Sequence, residues 1–344
     1  MGFYERSQQR GSFDNLVLEV VPLSAAKANE VLVKTHAVSL QYRDLMIGGA
    51  GYPGLVHDKL VPCSDMAGEV IALGADVTQW KVGDRVSANF MLDKLHDELT
   101  PEIDATSLGG ASHGVLTEFE TFPAHSLVEI PEHLSYEEAA TLPCAAVTAY
   151  NALMSGFSPM KAGDTILVQG TGGVSIFALQ FAVASGAIVI SLSSSDEKLK
   201  TTKKLGATHV INCKTTPEWD AEVLKITNGS GVDRVIEVVG NATLKRSSAA
   251  TKMNGSIDII GALGGAVANA PPVDIITLSI MKGFKIRGIH IGSVQQFKDM
   301  NKLMSANSEV TRPVVGKVFA FEEAKAAYAY LKSQAHVGKI VIQF

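Results

Sequence analysis

The sequence predicts an α/β protein in which a β-rich N-terminal half precedes a doubly wound parallel sheet. Three observations predict it. Short apolar runs separated by turn residues fill roughly the first 140 residues. From Asp164 onward strand and helix patterns alternate. A glycine turn, Gly170–Gly173, joins the first of those strands directly to an apolar helix. The 344 residues are enough for two domains sharing a large buried surface.

Composition narrows the functional classes. Hydrophobic residues make up 46% and charged residues 19%, as in a soluble globular protein. The net charge of −5 leaves no basic footprint for nucleic acid. No run of eighteen apolar residues offers a membrane span, and the segment Met1–Arg10 lacks the apolar core of a secretory signal. The three cysteines, Cys63, Cys144 and Cys213, include no pair at zinc or redox spacing, so a reducing compartment, the cytoplasm, is expected.

In the first half, Leu16–Val20, Val31–Ala37, Ala67–Leu73 and Arg85–Ala88 read as strands, with Gly74-Ala75-Asp76 and Gly83-Asp84 as turns. Phe90–His113 is polar and irregular and reads as a surface loop, ordered in part against the active site. Ser135 followed by Glu138 forms a capping box that opens a helix, which Pro143 breaks or kinks before Ala145–Met154 resumes. The alternating part then runs as strands Thr165–Gln169, Ile188–Leu192, His209–Asn212, Asp233–Val239 and Ser256–Ile260. Between the first four lie helices Val174–Ser185, Glu197–Leu205 and Trp219–Thr227. Phe284–Ile291 reads as a further strand, Phe297–Ser305 and Glu322–Ser333 as amphipathic helices, and Gly338–Gln343 as a closing strand. The tail no longer fits the βα repeat and is expected to return to the first domain.

The glycine turn carries the first chemistry. Gly170-Thr171-Gly172-Gly173-Val174-Ser175 is a GxGxxG pattern with serine in the third place, between a strand and a helix. That context identifies a Rossmann dinucleotide site, because backbone N–H groups and a helix N-terminus approach a pyrophosphate closely there. Ser175 is small enough to keep the helix close to its strand. Just past the second strand stands Ser193, followed by Ser194, where an NAD enzyme usually presents an acid to the ribose. A hydroxyl tolerates a 2′-phosphate and Lys198 can add charge, so NADPH is favoured, with NADH possible if Asp196 reaches the ribose. Lys198 reads equally well as a solvated first-turn lysine. Val239 at the end of the fourth strand, and Gly261, Ala262 and Leu263 after the fifth, are candidates to line the nicotinamide or else plain strand exits.

Further blocks carry a resemblance. They read Ala37-Val38-Ser39-Leu40-Gln41-Tyr42-Arg43-Asp44, Gly51-Tyr52-Pro53-Gly54, Val61–Val70, Trp80–Val86, Ala139–Tyr150 and Gly338-Lys339-Ile340-Val341. In this order the chain resembles the medium-chain dehydrogenase/reductase superfamily over nearly its whole length. The resemblance implies a GroES-like β-rich catalytic domain (1–142), a Rossmann domain (143–284) and a tail (285–344) holding a sheet-edge strand and the return, with the active site in the cleft between domains. It also implies that Thr148 touches the nicotinamide.

The departures from the family pattern bear on mechanism. Where zinc alcohol dehydrogenases carry metal ligands, this chain has Gln41 and Ser64, and only Cys144 matches. The four-cysteine lobe is missing, since Phe90–His113 contains no cysteine. One thiolate does not hold zinc, so no metal is expected and the chain resembles the zinc-free branch of quinone oxidoreductases and enoyl reductases. Cys144 then reads as a small buried residue. Hydrogen-bond donors must receive the anion that hydride transfer creates, and quinones or α,β-unsaturated carbonyls lower that demand. Tyr52, in a Gly-Tyr-Pro turn, is the leading donor. Gln41, where quinone reductases carry asparagine, is the next, with Tyr42 and Ser64 as alternatives. Asp44 and Asp65 match acids that stand behind the metal in the zinc enzymes, and read here as structural partners of Arg43.

The expected activity is therefore zinc-independent, NADPH-dependent reduction of a small quinone or enone. A zinc-free alcohol dehydrogenase or ketone reductase is one alternative, and a non-catalytic NADPH-binding sensor another. The strand Phe284–Ile291 offers an edge for a homodimer.

Overall fold

The computed structural model of the chain describes residues 2–6, 11–20, 22–49, 51–57, 59–263 and 274–344. In chain order the strands are β1 (Gly2–Arg6), β2 (Leu16–Val20), β3 (Glu30–Ser39), β4 (Asp65–Leu73), β5 (Arg85–Ala88), β6 (Phe119–Pro123), β7 (Leu127–Glu129), β8 (Thr165–Gln169), β9 (Ile188–Ser193), β10 (His209–Asn212), β11 (Val232–Glu237), β12 (Thr251–Ile259), β13 (Lys285–Gly288), β14 (Val315–Ala320) and β15 (Lys339–Gln343). The helices are α1 (Tyr42–Gly48), α2 (Pro101–Asp104), α3 (Tyr136–Ala139), α4 (Val147–Met154), α5 (Gly173–Ala184), α6 (Asp196–Lys204), α7 (Trp219–Ile226), α8 (Leu244–Ala250), α9 (Ile275–Lys282), α10 (Val294–Ala306) and α11 (Ala324–Lys332). Two compact units result: Met1–Val147 with Ile291–Ser308 and Arg312–Phe344, and Thr148–His290 with Glu309–Thr311.

The first unit is built on a seven-stranded sheet in the order β14-β15-β3-β4-β5-β7, with β6 also paired to β3. Val31 and Val33 of β3, and Val38 beyond a register shift between Thr35 and Ala37, are buried in one core with Met66 and Val70 of β4, and Phe122, Tyr328 and Ile342 join it. Register fixes which strand ends come together. Ser39 at the end of β3 pairs antiparallel with Asp65, the first residue of β4, and also with Val341 of β15. Three strand ends therefore meet, and Gln41, Asp65 and Lys339 stand at that junction.

The sequence expectation for Phe90–His113 needs correction. Phe90 and Met91 pack with Ile291, and Leu108 belongs to the main core, so the segment is anchored by apolar residues as well as exposed. Its one helical turn, α2, starts at Pro101 behind a Thr100 cap. The capping box is present at α3: Glu138 N–H donates to Ser135 Oγ at 3.2 Å, and Ser135 N–H to Glu138 Oε2 at 2.9 Å. Pro143 leaves a π-helical turn, Leu142–Ala146, ahead of α4.

The second unit holds a six-stranded, all-parallel sheet in the order β10-β9-β8-β11-β12-β13. Counted from β8, this is the doubly wound order 3-2-1-4-5-6, whose direction reverses between β8 and β11. Leu167, Ile190, Val235 and Ile257 supply its core from consecutive strands. Strand β11 ends at Glu237, two residues earlier than expected, because the Glu237 carboxylate turns back to accept the N–H groups of Val239 and Gly240, each at 2.9 Å. Val239 therefore lies in the loop beyond the strand.

Candidate active site

In the second unit, β8 runs into the glycine turn at the point where strand order reverses. Gly170 has φ +73°, a left-handed conformation that glycine adopts without strain. Gly172 caps α5 with an ordinary φ of −75°, and among the described residues no side-chain cap bond is made there. A Cβ on Gly172 would meet no atom within 4 Å, so packing within the protein does not require glycine there. Open space before an uncapped helix N-terminus suits a phosphate. Thr171 is buried, Gly173 and Val174 open the helix, and Ser175 is buried with its Oγ donating to the Gln169 carbonyl at 2.6 Å. The serine in the third place thus bonds helix to strand.

Ser193 ends β9 and is buried, while Ser194 is exposed. Ser193 Oγ accepts the Ser195 N–H at 3.3 Å, and Ser195 caps α6 by accepting the Lys198 N–H at 3.4 Å. Burial lowers the pKa of the Lys198 ammonium. Asp196, the alternative ribose acid, accepts a bond from Asn212 Nδ2 at 2.7 Å, at the end of the neighbouring strand β10.

Beneath the strand ends lies a group that the sequence reading passed over. Glu237 is fully buried, and its carboxylate accepts from Gln169 Nε2 (2.8 Å), Ser247 Oγ, Thr243 Oγ1 (2.7 Å) and the N–H groups of Val239 and Gly240. The Leu263 N–H donates to the Val238 carbonyl at 3.2 Å, which ties the loop carrying Gly261, Ala262 and Leu263 to the one carrying Val239. The tract 264–273 lies outside the described residues. Thr148 is buried in α4.

In the first unit, Asp65 gathers three of the predicted positions. Its carboxylate accepts from Gln41 Nε2, from Ser64 Oγ at 2.6 Å and from the Cys144 N–H at 3.2 Å. The Cys144 N–H lies in the first turn of the π-helical segment, where no preceding carbonyl claims it. Lys339 is buried nearby, with Nζ on the Leu40 carbonyl, and its charge acts on Asp65. Burial pushes the Asp65 carboxyl up, opposed chiefly by that lysine, and burial pushes the Lys339 ammonium down. Asp44 accepts the Gln41 N–H at 2.7 Å, and burial raises its pKa to about 6.

The expectation that Asp44 and Asp65 pair with Arg43 is not met by hydrogen bonding. Arg43 donates to the carbonyls of Leu108 (2.9 Å) and Gly109 (3.3 Å), and its guanidinium lies 4.8 Å from the ring centres of both Tyr52 and Phe90. Tyr52 is half-buried by this contact, and Tyr42, the first residue of α1, is exposed. The Ser64 hydroxyl is buried and its single proton is committed to Asp65, which removes it from the donors a substrate can meet. A sequence signal existed for Lys339, a lone charge at the start of the strand Lys339–Gln343, whereas Glu237 shares its strand with Asp233 and Arg234 and does not stand out.

The donor chemistry bears on a metal. Among the described residues no three His, Cys, Asp or Glu side chains are grouped to hold a metal ion. The positions corresponding to catalytic ligands present an amide, a hydroxyl and a thiol. Burial first, then the Asp65 charge, push the Cys144 thiol far above its usual range. Zinc takes thiolate, imidazole or carboxylate, and this set does not fit it.

A doubly wound sheet with an uncapped glycine turn, in one chain with a β-rich unit, defines a dinucleotide-type oxidoreductase scaffold. Comparison with known proteins is consistent with that class. The alcohol dehydrogenase GroES-like domain family matches residues 27–132, and the zinc-binding dehydrogenase family matches residues 173–306. A zinc-type alcohol dehydrogenase-like protein of Schizosaccharomyces pombe is 47% identical over 315 residues, covering 91% of this chain and 90% of its own. A crystal structure from Sinorhizobium meliloti described as an alcohol dehydrogenase superposes with a TM-score of 0.87 at 36% identity, covering 100% of this chain and 99% of that one. A mycobacterial protein solved in complex with NADPH gives 0.81 at 28% identity, with both chains covered in full. The chain belongs to the medium-chain dehydrogenase/reductase superfamily and is an oxidoreductase of that family.

Proposed function

We propose that the protein is a metal-independent, NADPH-dependent reductase of quinones or α,β-unsaturated carbonyls. The observation that carries this reading is that two of the three ligand positions hold Gln41 and Ser64 in place of ligands, and that both, with the Cys144 N–H, are bonded to Asp65. Without a Lewis acid, one well-placed donor supplies about 2.7–4 kcal/mol toward a developing oxyanion. That suffices more readily for an enolate or phenolate than for a plain alkoxide.

NADPH supplies hydride when bound. The turn Gly170–Val174 would hold its pyrophosphate, and the Ser193–Ser194 edge with Lys198 its 2′-phosphate. Thr148, Val239 and Gly261–Leu263 would line the nicotinamide. The engagement of Asp196 by Asn212 supports the 2′-phosphate over a bare ribose. The chain's own task at the substrate is to hold its oxygen with N–H or O–H groups. Gln41 and Tyr52 are the donors proposed, with Tyr42 more exposed and Ser64 serving Asp65 instead. A homodimer through β13, at one end of the described sheet, belongs to the same reading, and light scattering on the eluting species tests it.

The names of the relatives favour a second reading, a zinc-type alcohol dehydrogenase. Metal analysis of the purified protein, combined with NADPH oxidation by 1,4-benzoquinone, 2-cyclohexen-1-one and cyclohexanone, separates the two. The proposal expects turnover of the quinone or the enone with substoichiometric zinc. Turnover of cyclohexanone alone, with one zinc per chain, would establish the second reading.

A further inference from the structure

The inference concerns Asp65 and rests on the reading that Gln41 meets the substrate oxygen. A side-chain amide can present either its oxygen or its nitrogen to a neighbour. A carboxylate only accepts, so Asp65 decides that question for Gln41: the nitrogen faces inward. One N–H is then spent on Asp65, and the second, fixed by the planarity of the amide, is left to serve an outside acceptor. The backbone holds the same residue from the other side, since its N–H is bound by Asp44 at 2.7 Å and Gln41 caps α1.

The remaining bonds to Asp65 hold the carboxylate itself. Ser64 Oγ anchors Oδ1, and the Cys144 N–H anchors Oδ2. Lys339, buried at the start of β15, supplies the opposite charge. That countercharge matters because an unopposed carboxylate would repel an anion forming beside Gln41. We infer that Asp65, with Lys339 as its countercharge, is the positioning residue that pins the Gln41 amide and presents its free N–H to the substrate oxygen. The junction of β3, β4 and β15 is thus an organising centre for a donor.

Two measurements on the full-length protein test this. In 15N-labelled protein, the Gln41 side-chain amide is assigned as the pair of signals lost in Gln41→Met. The inference expects one of its two protons to be shifted far from the free-amide position and slow to exchange. A pair at free-glutamine shifts, exchanging like an exposed amide, overturns it whether or not turnover is detected. The second measurement is a cycle of Gln41→Met, Asp65→Asn and the double variant, assayed with NADPH and 2-cyclohexen-1-one or 1,4-benzoquinone. Gln41→Met is expected to lower kcat about a hundredfold with the KM for NADPH unchanged. Asp65→Asn is expected to lower it at least about tenfold, with no further loss in the double variant. Multiplying losses would overturn the positioning role, because they place Asp65 outside the action of Gln41. Wild-type kcat in Gln41→Met would instead overturn the functional reading of Gln41, and a pinned amide in that case tells the two failures apart.

Discussion

Each unit buries a carboxylate that accepts several hydrogen bonds at its candidate site, Glu237 in one and Asp65 in the other, and the two are served differently. Glu237 accepts from two backbone N–H groups, two hydroxyls and an amide, and among the described residues no cation is bonded to it. Asp65 accepts from three groups and carries Lys339 as countercharge. Glu237 shapes backbone: its partners turn β11 into the loop and lock β8 to β11 through Gln169. Asp65 aims a side chain. The second unit thus uses its carboxylate to fix main-chain geometry, whereas the first uses its own to hold two side chains and one backbone N–H together.

The largest effect that tests this contrast falls on Glu237. Glu237→Gln keeps the shape but sets an NH2 group against donors. A loss of about 3 kcal/mol in unfolding free energy is expected in urea titrations, together with NADPH binding weakened at least tenfold by calorimetry. Unchanged affinity would break the comparison, because the loop would then not depend on the carboxylate. Next comes Ser193→Asp, which places a charge where the 2′-phosphate is proposed. The ratio of kcat/KM for NADPH over NADH should fall by about a hundredfold. An unchanged ratio would move the specificity contact elsewhere.

Gly172→Ala sharpens the same point at lower cost to the fold. Its φ is ordinary and its Cβ would meet nothing, so stability should stay within about 0.5 kcal/mol while NADPH affinity drops about tenfold. Equal affinity would show that no ligand approaches that backbone closely. The smallest effect concerns Glu120 in β6, whose carboxyl burial raises to about 7. Because the folded chain holds this proton more tightly than the unfolded one, the contribution of Glu120 falls as pH rises from about 4.5 to about 7. Glu120→Gln should therefore be more stable than the parent by about 1–3 kcal/mol at pH 8 and equal to it near pH 4, by thermal or urea unfolding. A gain of the same size at both pH values would rule out the titration.

Much of the cofactor half was legible in the sequence. Thr165–Gln169, the turn at Gly170 and the helix after it were read within one residue of their observed limits, because apolar period and glycine chemistry are local signals. The end of β11 was misplaced because Val238 and Val239 continue an apolar run, while a side-chain bond from Glu237 stops the strand. Helix α1 escaped notice: it is seven residues long, ends in Gly48 and starts from Gln41, a residue type that does not announce a cap. Strand β7 has only three residues. The blocks around Gln41, Ser64 and Cys144 picked out three residues that the fold brings together. Their shared bond to Asp65, and the arrival of Lys339 from the far end of the chain, depend on β3–β4 and β3–β15 register, which no local pattern states.

If organic donors organised by Asp65 receive the substrate anion, turnover needs no metal. Exhaustive chelation of the purified protein, followed by metal analysis and steady-state reduction of 2-cyclohexen-1-one or 1,4-benzoquinone by NADPH, tests it most directly. Metal-depleted protein is expected to keep an unchanged kcat. Activity that disappears on chelation and returns with one equivalent of zinc per chain would contradict it.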